Sequence, residues 1–433
     1  VVIAVNDAKK KVTVRMGMSQ GVIALKDMHW ARKPTLELAY FEAKIRKPSE
    51  ALALGDVILV RIKREKTEDE NTWAVDLEQI PVAQSALMSI EAETGLVKAM
   101  VGGRDFNQTQ FNRAIQSRRQ PGSAFKPIIY AAALDKQFDD PEKIYTPATV
   151  IVDSAIVFKD EERDFTWKPK NYKETFFGPT LFRKALTKSR NLVTIKILQD
   201  IGVDYAIDYA AKMGIASKLS RDLSIALGSS GISLLELLRA YSVFANQGYL
   251  VEPVFVLKVT DRHGNVLEEM ANERKKVIEK STAYIMTSLL EGVVKHGTGR
   301  RVRALKRPVA GKTGTTNNLF DAWFVGYTPQ FITGVWVGLD EEAPLGKGET
   351  GSRAASPIWL GFMQGVLENE PVKVFHAPEG IVFAKIDADS GLLPVPESKD
   401  VIFECFKEGT VPTKYTKRPN EVTEVEDLFK KDI

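Results

Sequence analysis

The chain has 433 residues, 44% hydrophobic and 27% charged, with 30 Gly, 20 Pro and a single cysteine. This ordinary globular composition suits two or three domains of about 150 residues each and excludes a disordered, collagenous or coiled-coil chain and any internal disulfide. Sixty Lys+Arg against 56 Asp+Glu leaves +4, too close to neutral to indicate a nucleic-acid or membrane-surface partner.

Residues 1–84 carry short β-like segments at 1–5, 11–16, 21–25, 56–64 and 72–79, punctuated by turns at Asn6-Asp7 and Gly55-Asp56. Apolar side chains alternate along Lys11–Met16 and Val57–Lys63, as half-buried strands require. About five such strands predict a small all-β barrel of the OB type. Its aromatics, Trp30, Tyr40, Phe41 and Trp73, are too few for a nucleic-acid groove, so a spacer or protein-contact role is expected. Residues 1–7 lack the basic flank and apolar length of a signal peptide, and no stretch reaches the ~18 to 20 apolar residues of a membrane helix. Starting on a strand-like run without Met, the chain reads as part of something longer.

A second domain is expected over 85–433. Met88–Gly103 predicts a hairpin turned at Thr94-Gly95, and Ile386–Leu392 echoes that wording near the end. Helical signals fill the middle. Thr180 after Pro179 predicts a cap for a helix to Lys188. Leu192, Ile195 and Leu198 carry a helical spacing to Gly202, while Ser233 and Ser281 cap helices over 234–246 and 282–295. Strands follow at 309–315, 323–327 and 331–338. A helical middle between antiparallel strands drawn from both ends predicts an α+β fold.

Metal chemistry finds no support, since His29, His263, His296 and His376 are scattered and have no ligand-spaced neighbours. Cys405 reads as a small buried hydrophobe. Gly228-Ser229-Ser230-Gly231 lacks nucleophile-elbow spacing and reads as a turn, and Gly311-Lys312-Thr313 lacks the glycine that a phosphate loop needs at 306, where Lys stands. No cofactor is expected. What remains is Ser123, the one serine with a lysine three residues on, Lys126, just after Pro121-Gly122. That spacing on a first helical turn sets a hydroxyl beside an amine, and a lysine of lowered pKa can take a serine proton. A helix N-terminus and nearby cations would lower it. Ser189-Arg190-Asn191 lies between two predicted helices and Lys312-Thr313-Gly314 on a predicted strand; each pattern occurs once.

These three motifs, in this order, resemble the penicillin-binding protein and serine β-lactamase superfamily. Asp164–Tyr172, Ala226–Gly231, Gly297-Thr298-Gly299 and Asp321–Tyr327 extend the resemblance to the transpeptidase domain of class A penicillin-binding proteins, over about residues 85–410.

The resemblance implies that Ser123 attacks the carbonyl between two D-alanines of a peptidoglycan stem peptide, and that β-lactams acylate it. Lys126 would be the base, Ser189 a proton relay, and Asn191 a binder of the substrate amide that steadies Lys126. Lys312 would keep Lys126 neutral and attract the substrate carboxylate, aided by Thr313 and Thr315. Gly314 would leave room for the acyl chain, and the N–H groups of Ser123 and Thr315 would form the oxyanion hole. Trp167 and Asn171 would either line the cleft or pack in the core. Arg190 is left outside the chemistry as a solvated charge. The family also implies a membrane anchor and a glycosyltransferase domain ahead of such a domain, a periplasmic location, and in Gram-negative relatives an OB-like insertion that docks an outer-membrane lipoprotein activator, here residues 1–84. Residues 366–433 resemble the family's C-terminal extension. A D,D-carboxypeptidase or β-lactamase on the same fold, or a catalytically silent scaffold, are the competing readings; no Glu-x-x-Leu-Asn run, as class A β-lactamases carry, is present.

Overall fold

The structure is a computed structural model that describes residues 1–32, 35–66, 72–140, 143–160, 165–270 and 274–418. It divides into two compact units. The first comprises Val1–Gln84 together with Asn318–Phe320 and Gly338–Glu349, and the second takes the rest. The two short excursions into the first unit fall in stretches that the sequence assigns to the second domain.

In the first unit the strands β1 (Val2–Asn6), β2 (Lys11–Met16), β3 (Ser19–Ala24), β4 (Leu59–Lys66) and β5 (Thr72–Glu78) form one sheet in the order β1-β2-β3-β5-β4. The pairs are antiparallel apart from β3 with β5. Val12 and Val14 of β2 are buried while Lys11 and Arg15 are exposed, so the alternation read from the sequence is the pleat of a strand with one face on a core. Val2, Ile23, Val75 and Leu77 complete that core.

The second unit is built on a five-stranded sheet, β6 (Gln84–Glu91), β7 (Val97–Val101), β16 (Ala310–Thr315), β17 (Asp321–Tyr327) and β18 (Phe331–Gly338), in the order β16-β17-β18-β6-β7. It therefore joins strands from both ends of the chain, as expected of the α+β fold. Between them lie α1 (Lys126–Asp135), β8 (Val150–Asp153), β9 (Phe158–Asp160), β10 (Phe165–Trp167), β11 (Gly178–Leu181), α2 (Phe182–Lys188), α3 (Asn191–Ile201), α4 (Val203–Lys212), α5 (Leu234–Ala245), three small strands β12 (Tyr249–Val251), β13 (Lys258–Thr260) and β14 (Val266–Glu269), then β15 (Arg274–Lys276) and α6 (Lys280–His296). After the sheet come α7 (Ala355–Val366) and the antiparallel hairpin of β19 (Ile381–Asp387) and β20 (Val401–Lys407).

Ser233 caps α5 through a complete capping box with Glu236. Two other predicted caps fail. Thr180 sits in β11, paired with Ile151, and α2 begins only after Leu181; α6 begins at Lys280, ahead of Ser281. Pairing with β8 satisfies the Thr180 backbone in a way that local capping rules do not anticipate. Cys405 is 2% exposed, as expected of a small buried hydrophobe. Among the described residues no helix is long and apolar enough to cross a membrane.

Candidate active site

Ser123 sits in a 3-10 turn, Gly122–Ala124, that runs directly into α1, so Lys126 opens the helix three residues later. The turn leans on the edge strand β16. A side chain on Gly314 would run into the Pro121 carbonyl oxygen, and one on Gly228 into the backbone of Gly122. Both glycines are therefore required by close backbone approach. The run 228–231 does open as a turn, but its place is against the turn that carries Ser123, with Gly122 N–H donating to the Gly228 carbonyl at 3.3 Å.

α2 is capped at its C-terminal end by Ser189, which takes the left-handed conformation at φ 58°. Such a backbone is costly for a residue other than glycine and marks a site where the surroundings dictate the conformation. Here it brings the Ser189 carbonyl and hydroxyl to two buried amines. Lys126 Nζ donates to Asn191 Oδ1 at 2.7 Å and to the Ser189 carbonyl at 2.9 Å, with Ser189 Oγ at 3.4 Å. From the other side Lys312 Nζ donates to Ser189 Oγ at 2.9 Å and to the Thr313 carbonyl at 3.1 Å. Thr313 Oγ1 meets Thr298 Oγ1 at 2.7 Å, which joins the Gly297-Thr298-Gly299 segment to β16. Thr315 Oγ1 accepts from Gly351 N–H at 3.0 Å.

Both lysines are fully buried. Burial is the largest cause that drives the Lys126 amine well below its ordinary 10.5, followed by the neighbouring charges of Lys312 and Arg190, against an opposing pull from Asp153. Burial pushes Lys312 down to about 7. The cations invoked from the sequence are present, but desolvation outweighs them, and sequence spacing does not reveal it.

Arg190 requires a correction. Its side chain is only 17% exposed, lies over the Phe177 ring at 3.1 Å from the centroid and stands 3.9 Å from the Asp153 carboxylate, so it is a buried-edge cation beside the site and not a solvated charge. Asp153, missed from the sequence, is buried and accepts from Asn171 Nδ2 at 2.9 Å and 3.0 Å. Asn171 Oδ1 in turn takes the Asn191 N–H at 2.9 Å and so caps α3, while Asn191 Nδ2 donates to the Lys170 carbonyl at 2.8 Å, which aims its oxygen at Lys126. The Asn171 side chain is thus engaged by the fold, which favours the packing alternative over a cleft-lining one. Trp167 is half-buried and stacks on Phe158 at 5.5 Å. Asp164, the first residue of the run 164–172, lies outside the described residues. No cluster of three or more His, Cys, Asp or Glu able to hold a metal occurs among the described residues.

Residues 86–359 match the penicillin binding protein transpeptidase domain. The chain belongs to that family. Residues 1–83 match the penicillin-binding protein OB-like domain and 377–421 the C-terminal domain of penicillin-binding protein 1A. Penicillin-binding protein 1A of Pseudomonas aeruginosa is 39% identical over 444 residues, covering 90% of this chain and 52% of that protein. Its namesake from Vibrio cholerae is 34% identical over 466 residues, covering 96% and 55%. The chain therefore spans about half the length of the curated relatives it matches. The crystal structure of penicillin-binding protein 1A from Haemophilus influenzae has a TM-score of 0.80 at 28% identity, covering 96% of this chain and 63% of that one. The PonA1 protein of Mycobacterium tuberculosis in complex with penicillin V has a TM-score of 0.59 at 27% identity, covering 69% and 82%.

Proposed function

We propose that this penicillin-binding protein chain is a serine D,D-transpeptidase that crosslinks peptidoglycan stem peptides and is acylated by β-lactams. The observation that carries the reading is the setting of Lys126. A neutral amine has two N–H bonds, and the two short contacts, to Asn191 Oδ1 and the Ser189 carbonyl, use both and leave its lone pair for the Ser123 hydroxyl. Ser123 Oγ then bonds to the carbonyl carbon between the two D-alanines as its proton passes to Lys126. The C–N bond breaks, the leaving D-alanine nitrogen takes a proton through Ser189, and the amine of a second stem peptide later displaces Ser123 from the ester. The developing oxyanion falls to the N–H groups of Ser123 and Thr315, where one donor contributes about 3 kcal/mol in a serine enzyme. Lys312, Thr313 and Thr315 receive the substrate carboxylate. Gly314 keeps β16 close to the nucleophile, and Trp167 and Asn171 support the wall that carries Asn191.

By the same reading the whole protein would act in the periplasm, anchored in the inner membrane. Residues 1–84 would dock an outer-membrane lipoprotein, on a surface that includes the exposed Leu36, Leu38 and Phe41. Loss of lipoprotein capture by the full chain on replacing these three with Ser is the expected result.

Intact mass after incubation with excess penicillin, followed for hours once free drug is removed, tests the enzyme reading. A single persistent adduct on the unaltered chain and none on Ser123→Ala is expected. An adduct lost within seconds would identify a β-lactamase, and no adduct on folded protein a silent scaffold.

A further inference from the structure

We infer that the C-terminal hairpin β19–β20 positions the catalytic groups, with Lys407 tying down the helix that begins at Lys126 and Glu404 tying down the helix that Ser189 caps. This rests on the acyl-serine reading above and goes beyond it, because neither residue touches the reacting atoms.

The geometry is specific. Lys407 Nζ donates to the Leu134 carbonyl at 3.1 Å and to Asp135 Oδ1 at 2.9 Å, both at the end of α1 opposite Lys126. Asp135 also accepts from Tyr209 of α4 at 2.7 Å and from Thr282 of α6. Three residues earlier on the same strand, Glu404 binds Arg183 of α2 through both carboxylate oxygens, and Arg183 continues to the Ser288 carbonyl of α6 at 3.0 Å. Glu404 is wholly buried and Arg183 18% exposed. Ile386 and Phe406 of the hairpin share a cluster with Ala148 and Leu181, the residue immediately before α2.

One strand thus grips both helices whose site-facing ends carry Lys126 and Ser189, and both grips also reach α6. A buried ion pair adds little net stability over an apolar pair of equal volume; what a two-pronged carboxylate–guanidinium contact does supply is direction. α2 must hold the residue that follows it, Ser189, in a left-handed turn between two amines, and a rigid helix transmits a displacement at one end to the other.

The test is the second-order rate of acylation by a fluorescent penicillin across pH, on the full chain and its variants. Lys407→Met removes the less buried grip, since Lys407 is 28% and Asp135 16% exposed, and should leave the fold intact by circular dichroism. The groups facing Lys126 are Lys312 of β16, Arg190, Ser189, Asn191 and Asp153 of β8. If α1 slides, Lys126 is less desolvated and moves from these cations, so its proton is held to higher pH. Acylation at neutral pH should fall about tenfold, in line with small misplacements of a catalytic group, and the deficit relative to the unaltered chain should narrow as pH rises. Lys407→Arg should restore the profile, and Glu404→Gln should reproduce the shift from the α2 side. An unchanged rate, or a drop of equal size at every pH without rescue by Lys407→Arg, overturns the brace while leaving the acyl-serine reading standing. Failure of the unaltered chain to acylate overturns both.

Discussion

Strands β2 and β16 sit in the two different units and are each six residues long, yet they obey different rules. β2 buries every second side chain and exposes Lys11 and Arg15, so its residues answer to a period of two. β16 buries its first five residues in succession, including Lys312 and two glycines. There each residue answers to a particular neighbour: Gly314 to the Pro121 carbonyl, Lys312 to Ser189, Thr313 to Thr298. Periodic burial tolerates replacement by anything of similar size and polarity, whereas contact-by-contact burial does not.

The sharpest break in that comparison comes from the amines. Lys126→Met should lower acylation about a thousandfold, the usual span of a lost general base, while leaving the protein folded, because Met fills much of the same buried volume and removes a desolvated amine. Stopped-flow acylation together with thermal melting checks both halves. Gly314→Ala should follow. A single methyl meets the Pro121 carbonyl and the Ala124 side chain, so the turn that holds Ser123 must retreat from β16. An overpacking cost of about 2 kcal/mol and about a hundredfold slower acylation are expected. A rate within about threefold of the unaltered chain would show that the close approach is not needed.

How much of this was legible beforehand follows from the same contrast. The five strands of the first unit, the α5 capping box and the sheet joined from both chain ends follow from alternation, caps and turn residues, which are local. Motif spacing singled out Ser123, Lys126, Ser189, Asn191 and Lys312, whereas the meeting of the Lys126 and Lys312 amines at Ser189 depends on tertiary packing. Arg190 was misread because a charge between two helices ordinarily faces solvent, and nothing in the sequence places Phe177 beneath it or Asp153 beside it. Asp153 itself carried no signal, being one acid on a short strand. Thr180 was misread as a cap because strand pairing with Ile151 overrides local preference.

Arg190→Gln sharpens the comparison at smaller amplitude. Arg190 is one of the two cations that disfavour the Lys126 ammonium. Its removal should raise the Lys126 pKa, so the neutral amine appears only at higher pH and the rising limb of the acylation profile moves to the alkaline side. A loss of about three- to tenfold near neutrality, about one pKa unit at most, should vanish at high pH. A shift toward acid would contradict the electrostatic role.

The smallest effect belongs to the first unit. Ile23 of β3 is fully buried among Val12, Val14 and Val75, so Ile23→Val removes one methylene from a periodic core and should cost about 1 kcal/mol. Because that core only has to be apolar and well filled, acylation at Ser123 should keep its rate and its pH profile, and a chemical denaturation curve should report the whole change. If this conservative loss also slowed acylation, the first unit would be setting the geometry of the buried amines, and the distinction between periodic burial and contact-by-contact burial would no longer separate the part of the chain that folds from the part that reacts.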